Sequence, residues 1–110
     1  MRFVSYVHAG RDGFGAIVDG GVVDLGARTT AQNLQALIER NELEFAADTA
    51  AASTPDLDLA EISYRPPITA PGKIICIGVN YGNRNEEYKD GATAPQYPSV
   101  FMRTRESLVG

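Results

Sequence analysis

The stretch that decides the fold is residues 66–110, which read PPITAPGKIICIGVNYGNRNEEYKDGATAPQYPSVFMRTRESLVG. Within it, the apolar run at residues 74–79 opens directly onto Asn80 and Tyr81 and then onto a cluster of charges and glycines. A second apolar pair, at residues 100–101, follows a proline and precedes two arginines. Many functional sites place polar residues on the loop at the end of a rigid strand. The functional residues are therefore expected in this stretch.

Composition and charge exclude several classes of protein. With 110 residues, 44% hydrophobic and 22% charged, the chain is typical of a globular domain with its own core. A net charge of −4 and a pI of about 4.8 leave no basic surface for nucleic acid or an anionic membrane. The one cysteine, Cys76, cannot form a disulfide within the chain, and no run approaches the roughly 18 apolar residues of a membrane span. We expect a cytoplasmic protein that binds neither nucleic acid nor membranes.

The N-terminal part begins with a predicted set of strands. Apolar and β-branched runs separated by glycine-bearing turns predict a small antiparallel meander over residues 2–25. The sequence Asp-Gly-Gly at residues 19–21 is a strong hairpin signal, because glycine enters positive φ without steric cost. Farther along, alternating apolar residues predict a short strand before Tyr64.

Helices are predicted after the meander. Apolar residues at i, i+3 and i+4 predict a short amphipathic helix over residues 31–40, with Thr29 or Thr30 as the N-cap and Asn41 as the stop. Residues 43–52 are either a second helix or a loosely ordered stretch.

A proline-rich joint at residues 63–70 is expected to separate a small N-terminal domain, residues 1–62, from a second unit, residues 71–110. In the second unit, residues 73–79 form a strand that is apolar on both faces and is therefore expected to be buried. Residues 99–103 predict another strand. The fold class is thus α+β and rich in β-structure.

Few side chains are candidates for chemistry. His8 and Cys76 lack partners at metal-ligand spacing and are interpreted as structural residues. Arg84 and Glu87 stand at i, i+3 and would share a face of a helical turn; spacing alone favours a solvated ion pair over a site. Arg103 lies within a predicted strand, where its charge needs an anionic partner, either a protein carboxylate or a substrate.

The same stretch resembles the start of the catalytic domain in the fumarylacetoacetate hydrolase superfamily. Members typically show P-x-K-[IV]-[IV]-C-[IV]-G-x-N-Y-x-x-H-x-x-E, then a loop, then P-x-x-F-x-K and a serine before a glycine. The matching residues here are Pro71, Lys73, Ile74, Ile75, Cys76, Ile77, Gly78, Asn80, Tyr81, Glu87, Pro98, Phe101, Ser107 and Gly110. The first sixty-odd residues resemble the small N-terminal domain that many prokaryotic-type members carry.

The resemblance implies a β-roll catalytic fold, incomplete in this chain, that assembles as a homodimer. It also implies a divalent cation, Mg²⁺ or Mn²⁺, held by three acidic residues and chelating a small 2-oxo or enol (di)carboxylate substrate. Those metal ligands are expected C-terminal to Gly110, with none within this chain. Family reactions include hydrolysis, isomerisation and decarboxylation in aromatic-compound catabolism, for example by enzymes like 2-hydroxyhepta-2,4-diene-1,7-dioate isomerase or fumarylpyruvate hydrolase.

Two positions depart from the family pattern. Arg84 stands where the family has histidine, and Arg103 where it has lysine. Arginine stays protonated and cannot act as a general base, but its fork can hold the far carboxylate of a substrate. The resemblance thus implies Glu87 and Arg84 as catalytic residues. It implies a substrate-binding set made up of Asn80, Tyr81, Arg84 and Arg103.

Two functional hypotheses follow. The first is a metal-dependent hydrolase, isomerase or decarboxylase, with the loss of histidine favouring reactions other than hydrolysis. The second is a catalytically silent member of the family that acts as a binding or scaffold protein, with Arg84 marking the loss.

Overall fold

The computed structural model describes residues 1–78 and 97–110. It divides into two compact units, the first comprising residues 1–70 with residues 109–110 and the second comprising residues 71–108. Each unit is described by itself.

The first unit begins with the predicted meander, which the structure confirms. Strands β1 (Arg2–His8), β2 (Arg11–Val18) and β3 (Gly21–Asp24) pair antiparallel in sequence order. Both connections are two-residue turns with positive φ at both positions. Ala9-Gly10 has φ of 47° and 77°, and Asp19-Gly20 has φ of 47° and 81°. Such turns match the twist of the flanking strands and so fix the register of both hairpins.

Two later strands complete a sheet of order β4-β3-β2-β1-β5. Strand β4 (Leu57–Asp58) pairs with β3, and β5 (Ile62–Arg65) pairs with β1, both antiparallel. The single short strand predicted before Tyr64 was wrong, because a 3-10 turn at Leu59–Glu61 divides this run into β4 and β5. Strand β5 continues through Tyr64 to Arg65, so the expected joint at residues 63–70 overlaps it. Just beyond β5, the Ser5 hydroxyl donates a hydrogen bond to the Pro67 carbonyl at 2.7 Å, which holds the start of the proline-rich segment against the sheet.

Two helices occupy the long connection between β3 and β4. They are α1 (Leu34–Glu39) and α2 (Leu43–Ala51), so the helical alternative for the second segment is confirmed. The predicted start of the first helix was wrong: its N-cap is Asn33, whose side chain accepts the Ala36 N–H at 2.9 Å. The Thr29 hydroxyl instead donates to the Leu25 carbonyl, which keeps that residue in the preceding turn. Asn41, with φ of 57°, ends α1 as predicted.

An arginine fork clamps this connection. The Arg28 guanidinium donates to both carboxylate oxygens of Asp56, at 2.6 and 2.9 Å. Asp56 also accepts the backbone N–H of Asp24 at 2.8 Å. The hydrogen bonds from Arg28 are the main reason that the pKa of Asp56 lies below its usual value. The ends of the helical excursion are thereby fastened beside β3.

The two faces of the sheet bury different clusters. The helices cover a cluster of nine buried residues: Phe14, Ala16, Val23, Leu25, Ala31, Leu34, Leu37, Ala46 and Ala50. The opposite face holds a smaller cluster of Val4, Tyr6 and Val22. Successive side chains of a strand point to opposite faces, so β3 contributes Val23 to the larger cluster and Val22 to the smaller one.

In the second unit, the two predicted strands are confirmed as β6 (Ile74–Gly78) and β7 (Ser99–Arg103), and they pair antiparallel with each other. The expectation that this run is buried was wrong for the described residues, because Ile75 and Ile77 are both 63% exposed. A two-stranded ribbon can cover neither of its faces by itself. The implied β-roll remains a prediction.

Across residues 1–78 and 97–110, no helix has both the length and the apolar character needed to cross a bilayer.

Gly15 should not tolerate a side chain. A Cβ at this position would collide with the carbonyl oxygen of Val23 and lie 2.9 Å from Cγ1 of Val22. Relieving the collision requires β2 and β3 to separate, so we expect Gly15→Ala to lower the free energy of unfolding by about 3 kcal/mol. Gly72→Ala is the matched control, since a Cβ there meets nothing within 4 Å. Equal urea midpoints for the two variants would contradict this prediction.

Stability should fall at alkaline pH because of Tyr6. Burial, with the nearby carboxylates of Asp24 and Asp56, raises the pKa of Tyr6 from 10 to about 12. Because the folded pKa is the higher one, the stabilisation is complete below pH 10 and is lost as the pH rises from 10 to 12. We expect a loss of about 1 kcal/mol by pH 11 relative to pH 8, measured by urea unfolding. Tyr6→Phe should remove this component, and an unchanged pH profile in that variant would contradict the assignment.

Candidate functional site

Four of the five residues implicated by the sequence lie outside the described residues. These are Asn80, Tyr81, Arg84 and Glu87, all within residues 79–96. The fifth, Arg103, is the last residue of β7 and pairs with Ile74 across the ribbon. The site can therefore be built upward from this arginine.

The ribbon has two chemically different faces. One, which we call the aliphatic face, carries Ile75, Ile77, Val100 and Met102, each between 63% and 66% exposed. The register places these four side chains on the same side, because Ile75 pairs with Met102 and Ile77 with Val100. The other, the arginine face, carries Ile74, Cys76, Gly78, Ser99, Phe101 and Arg103. Polar chemistry is thus confined to one side of the ribbon.

On the arginine face, Arg103 lies over an aromatic ring. Its guanidinium carbon is 5.2 Å from the centre of the Phe101 ring. Residues two apart in a strand share a face, so the contact follows directly from the strand geometry. The distance is within the range of a cation–π interaction, which contributes about 0.5–1 kcal/mol at an exposed position.

The ring itself rests on a position without a side chain. A Cβ at Gly78 would lie 3.3 Å from Cε1 of Phe101, closer than ordinary contact, so glycine leaves the room that the ring occupies. Cys76 is the direct cross-strand partner of Phe101. At 43%, Phe101 is the least exposed of the five large apolar residues exposed on the ribbon. Gly78, Phe101 and Arg103 therefore form one stacked arrangement along the ribbon.

Among the residues described, no carboxylate forms a salt bridge with Arg103. The two salt bridges found there, Arg28 with Asp56 and Arg65 with Asp12, both belong to the first unit. Glu106, two residues from the end of β7, has a lowered pKa chiefly because it accepts its own backbone N–H, with help from the Thr104 hydroxyl. Of the two partners expected for Arg103, a protein carboxylate is therefore not found among the residues described.

The metal ligands that the resemblance implies are expected C-terminal to Gly110, outside this chain. Among residues 1–78 and 97–110, no group of three histidine, cysteine, aspartate or glutamate side chains is placed to hold a metal ion. A hard divalent cation needs several oxygen ligands, and these residues do not supply them.

A separate cleft of about 550 Å³ lies in the first unit, where Tyr6, Asp12, Asp24, Asn33 and Arg65 contribute to its wall. Its polar groups are already used within the fold. Asp24 accepts the Gly26 N–H at 2.8 Å, Asn33 caps α1, and Arg65 lies 3.7 Å from Asp12. We therefore interpret this cleft as a structural feature.

Sequence reasoning missed the part played by Phe101. The motif matched this residue as a marker of the returning strand, whereas the structure shows its ring beneath the guanidinium of Arg103. The signal was present in the sequence, because an aromatic and an arginine at i and i+2 of a strand must lie on one face.

Curated proteins similar to this chain have related names. The mitochondrial oxaloacetate tautomerase Fahd2a of Rattus norvegicus is 32% identical over 97 residues, which is 84% of this chain and 30% of that protein. The human mitochondrial oxaloacetate tautomerase FAHD2A is 32% identical over 95 residues, 83% of this chain and 30% of that protein. Fumarylacetoacetate hydrolase domain-containing protein 2 of Pongo abelii is 30% identical over 95 residues, with the same coverage.

The chain spans about 30% of the length of these relatives. No family profile matches it. The similarity nevertheless extends across more than four-fifths of the chain. The name of the Pongo abelii relative contains that of the family that the motif at residues 71–110 resembles. On this evidence, the chain belongs to the fumarylacetoacetate hydrolase superfamily.

Proposed function

We propose that the whole protein is an isomerase that interconverts the keto and enol forms of a small 2-oxo dicarboxylate. One observation carries the proposal: relatives similar over more than four-fifths of the chain are named oxaloacetate tautomerases. Arg103, stacked on Phe101 with no carboxylate partner among the described residues, adds support as a receptor for an anionic substrate.

The proposed reaction needs little more than a base and a positive environment. A base removes a proton from the carbon next to the 2-oxo group, and the C–H electron pair becomes the C=C bond of an enolate. A proton then adds to the former carbonyl oxygen and gives the enol, so no oxidant or further reactant is consumed. Fixed positive charge stabilises the enolate, because negative charge on oxygen grows along this path.

We assign the base to Glu87, since Arg84 stays protonated where the family has histidine. Arg84 then holds a substrate carboxylate through its fork, and Asn80 and Tyr81 line the same site. These four residues lie outside the described residues, so their roles rest on the motif. The Mg²⁺ or Mn²⁺ site is likewise proposed from the family, and when bound the ion polarises the 2-oxo group.

The wider family features remain part of the proposal. They are the domain division at residues 1–62, 63–70 and 71–110, the β-roll that β6 and β7 would begin, and assembly as a homodimer. The cytoplasmic location expected from the sequence stays a prediction, whereas the relatives' names place those proteins in mitochondria. Hydrolysis, decarboxylation, aromatic-derived substrates and the silent scaffold are the competing outcomes of the experiment below.

Deuterium exchange tests the reaction directly. Full-length protein, with Mg²⁺ or Mn²⁺ supplied, should accelerate incorporation of deuterium at C3 of oxaloacetate in D₂O, followed by NMR, because proton removal at that carbon is the proposed step. Intact deuterated oxaloacetate indicates tautomerisation, pyruvate indicates decarboxylation, and oxalate with acetate indicates hydrolysis of the C–C bond. A rate equal to that of the protein-free solution would overturn the proposal and favour the scaffold hypothesis.

Arg84 and Glu87 should fail in different ways. Arg84→Ala should mainly weaken substrate binding, because a charge-assisted pair with a carboxylate contributes about 2 kcal/mol. Glu87→Gln keeps the shape but removes the base, so kcat should fall roughly 10²–10⁴-fold. Arg84→His restores the family pair and should raise the share of hydrolysis products. If all three variants keep the KM and kcat of wild type, Arg84 and Glu87 form only a solvated salt bridge and the prediction is contradicted.

A further inference from the structure

We infer that Phe101 is a positioning residue, whose ring holds the guanidinium of Arg103 as a receptor, alongside Arg84, for the second carboxylate of the substrate, the one that is not bonded to the 2-oxo carbon. The inference rests on the proposed function for the identity of the substrate. It adds a role for a residue that the family motif uses only to mark a strand.

The first support is the geometry of the stack. The guanidinium carbon of Arg103 lies 5.2 Å from the centre of the Phe101 ring, within the roughly 6 Å limit for a cation over an aromatic face. Both residues belong to β7, a hydrogen-bonded strand, so their backbones are fixed relative to each other. An arginine side chain has several rotatable bonds, and fixing them costs conformational entropy when the side chain binds a ligand. Contact with the ring restricts these bonds beforehand, so less entropy is lost when the carboxylate binds.

The second support is that the ring itself is held in place. Gly78 leaves space for its edge, because a Cβ there would lie 3.3 Å from Cε1 of Phe101. Cys76 faces Phe101 across the ribbon. The ring is also less exposed, at 43%, than the 63–66% of the four residues on the aliphatic face. A supported ring can act as a platform, whereas a freely rotating one cannot.

The third support is the chemistry of the cation. The N–H groups of a guanidinium lie in its plane and point outward from its edge. Contact between its face and a ring therefore leaves them free to bind a carboxylate with two parallel hydrogen bonds. A lysine ammonium in this place would bind as a point charge without the fork. Arginine with an aromatic two residues earlier therefore suits a planar carboxylate and favours a dicarboxylate over a monocarboxylate substrate.

Two 2-oxo acids of equal length test the inference. Oxaloacetate and 2-oxobutyrate share four carbons and the 2-oxo carboxylate, and differ in that one ends in a second carboxylate and the other in a methyl group. Their dissociation constants can be measured by calorimetry on full-length protein with Mg²⁺ present. Wild type should bind oxaloacetate at least tenfold more tightly, because hydrogen bonds to charged groups are strong.

Substitutions then separate positioning from mere stability. Phe101→Leu should weaken oxaloacetate binding about twofold to fivefold and leave 2-oxobutyrate binding unchanged, as expected for loss of a cation–π contact at an exposed position. Phe101→Tyr should restore the selectivity. In an Arg103→Ala background, Phe101→Leu should have no further effect on oxaloacetate, since the two residues act as one unit. Met102→Leu, on the aliphatic face, is the matched control and should leave both constants unchanged.

The outcomes distinguish this inference from the proposed function. If wild type fails to discriminate between the two acids, or if Phe101→Leu weakens both equally, or if the effects of Phe101→Leu and Arg103→Ala simply add, the inference is overturned. If the selectivity follows Arg103 and Phe101 as described but no deuterium exchange occurs, the carboxylate receptor stands and the proposed tautomerase activity fails. A lower urea midpoint for Phe101→Leu than for wild type would indicate a folding defect. In that case, the selectivity of Phe101→Tyr and the effect of Phe101→Leu in the Arg103→Ala background decide whether Phe101 positions Arg103.

Discussion

The first unit depends on the pairing of β1 along both of its edges. One edge binds β2, its neighbour in sequence, and the other binds β5, more than fifty residues later. This second pairing encloses the rest of the unit, since the helices and β4 lie between the two strands that close it. The Arg28–Asp56 clamp and the Ser5–Pro67 hydrogen bond reinforce the same closure. Removing the β1–β5 pairing would leave one edge of β1 unpaired and would take Ile62 away from the smaller cluster of Val4, Tyr6 and Val22.

The second unit shows the opposite situation, in which local pairing is satisfied and packing is not. Strands β6 and β7 make their ladder hydrogen bonds, yet the aliphatic face of the ribbon stays exposed among the described residues. An all-aliphatic face has to be buried to contribute to stability, at about 25 cal/mol for each Å² removed from water. The arginine face needs no such cover, because its charge and aromatic ring stabilise each other. The ribbon therefore has one face suited to packing, the aliphatic face, and one suited to binding a ligand, the arginine face.

The sequence predicted elements whose signals are local. The meander and its second turn followed from glycine positions and β-branched runs. Asn41 stopped α1 as expected, because its backbone adopts a left-handed conformation. The true cap of α1 was missed, because Thr29, Thr30 and Asn33 are all good capping residues and only the fold decides which one is free. Burial of β6 was overestimated. Apolar residues on both faces indicate that a strand needs to be covered on both sides, but they do not show which part of the protein covers it. The stack of Phe101 and Arg103 could have been predicted from strand periodicity, whereas its support by Gly78 depends on the register between two distant segments.

The position of β5 in the chain has a consequence for synthesis on the ribosome. The hairpin of β1 and β2 can form as soon as residue 18 has emerged, whereas the other edge of β1 must wait until Arg65 is available. During that interval β1 presents unpaired backbone groups along Ser5 to His8, and an open edge of this kind can pair with a neighbouring nascent chain. The contact that closes the unit is thus also the last to form, and the time for which it is delayed sets how long the chain is vulnerable to aggregation.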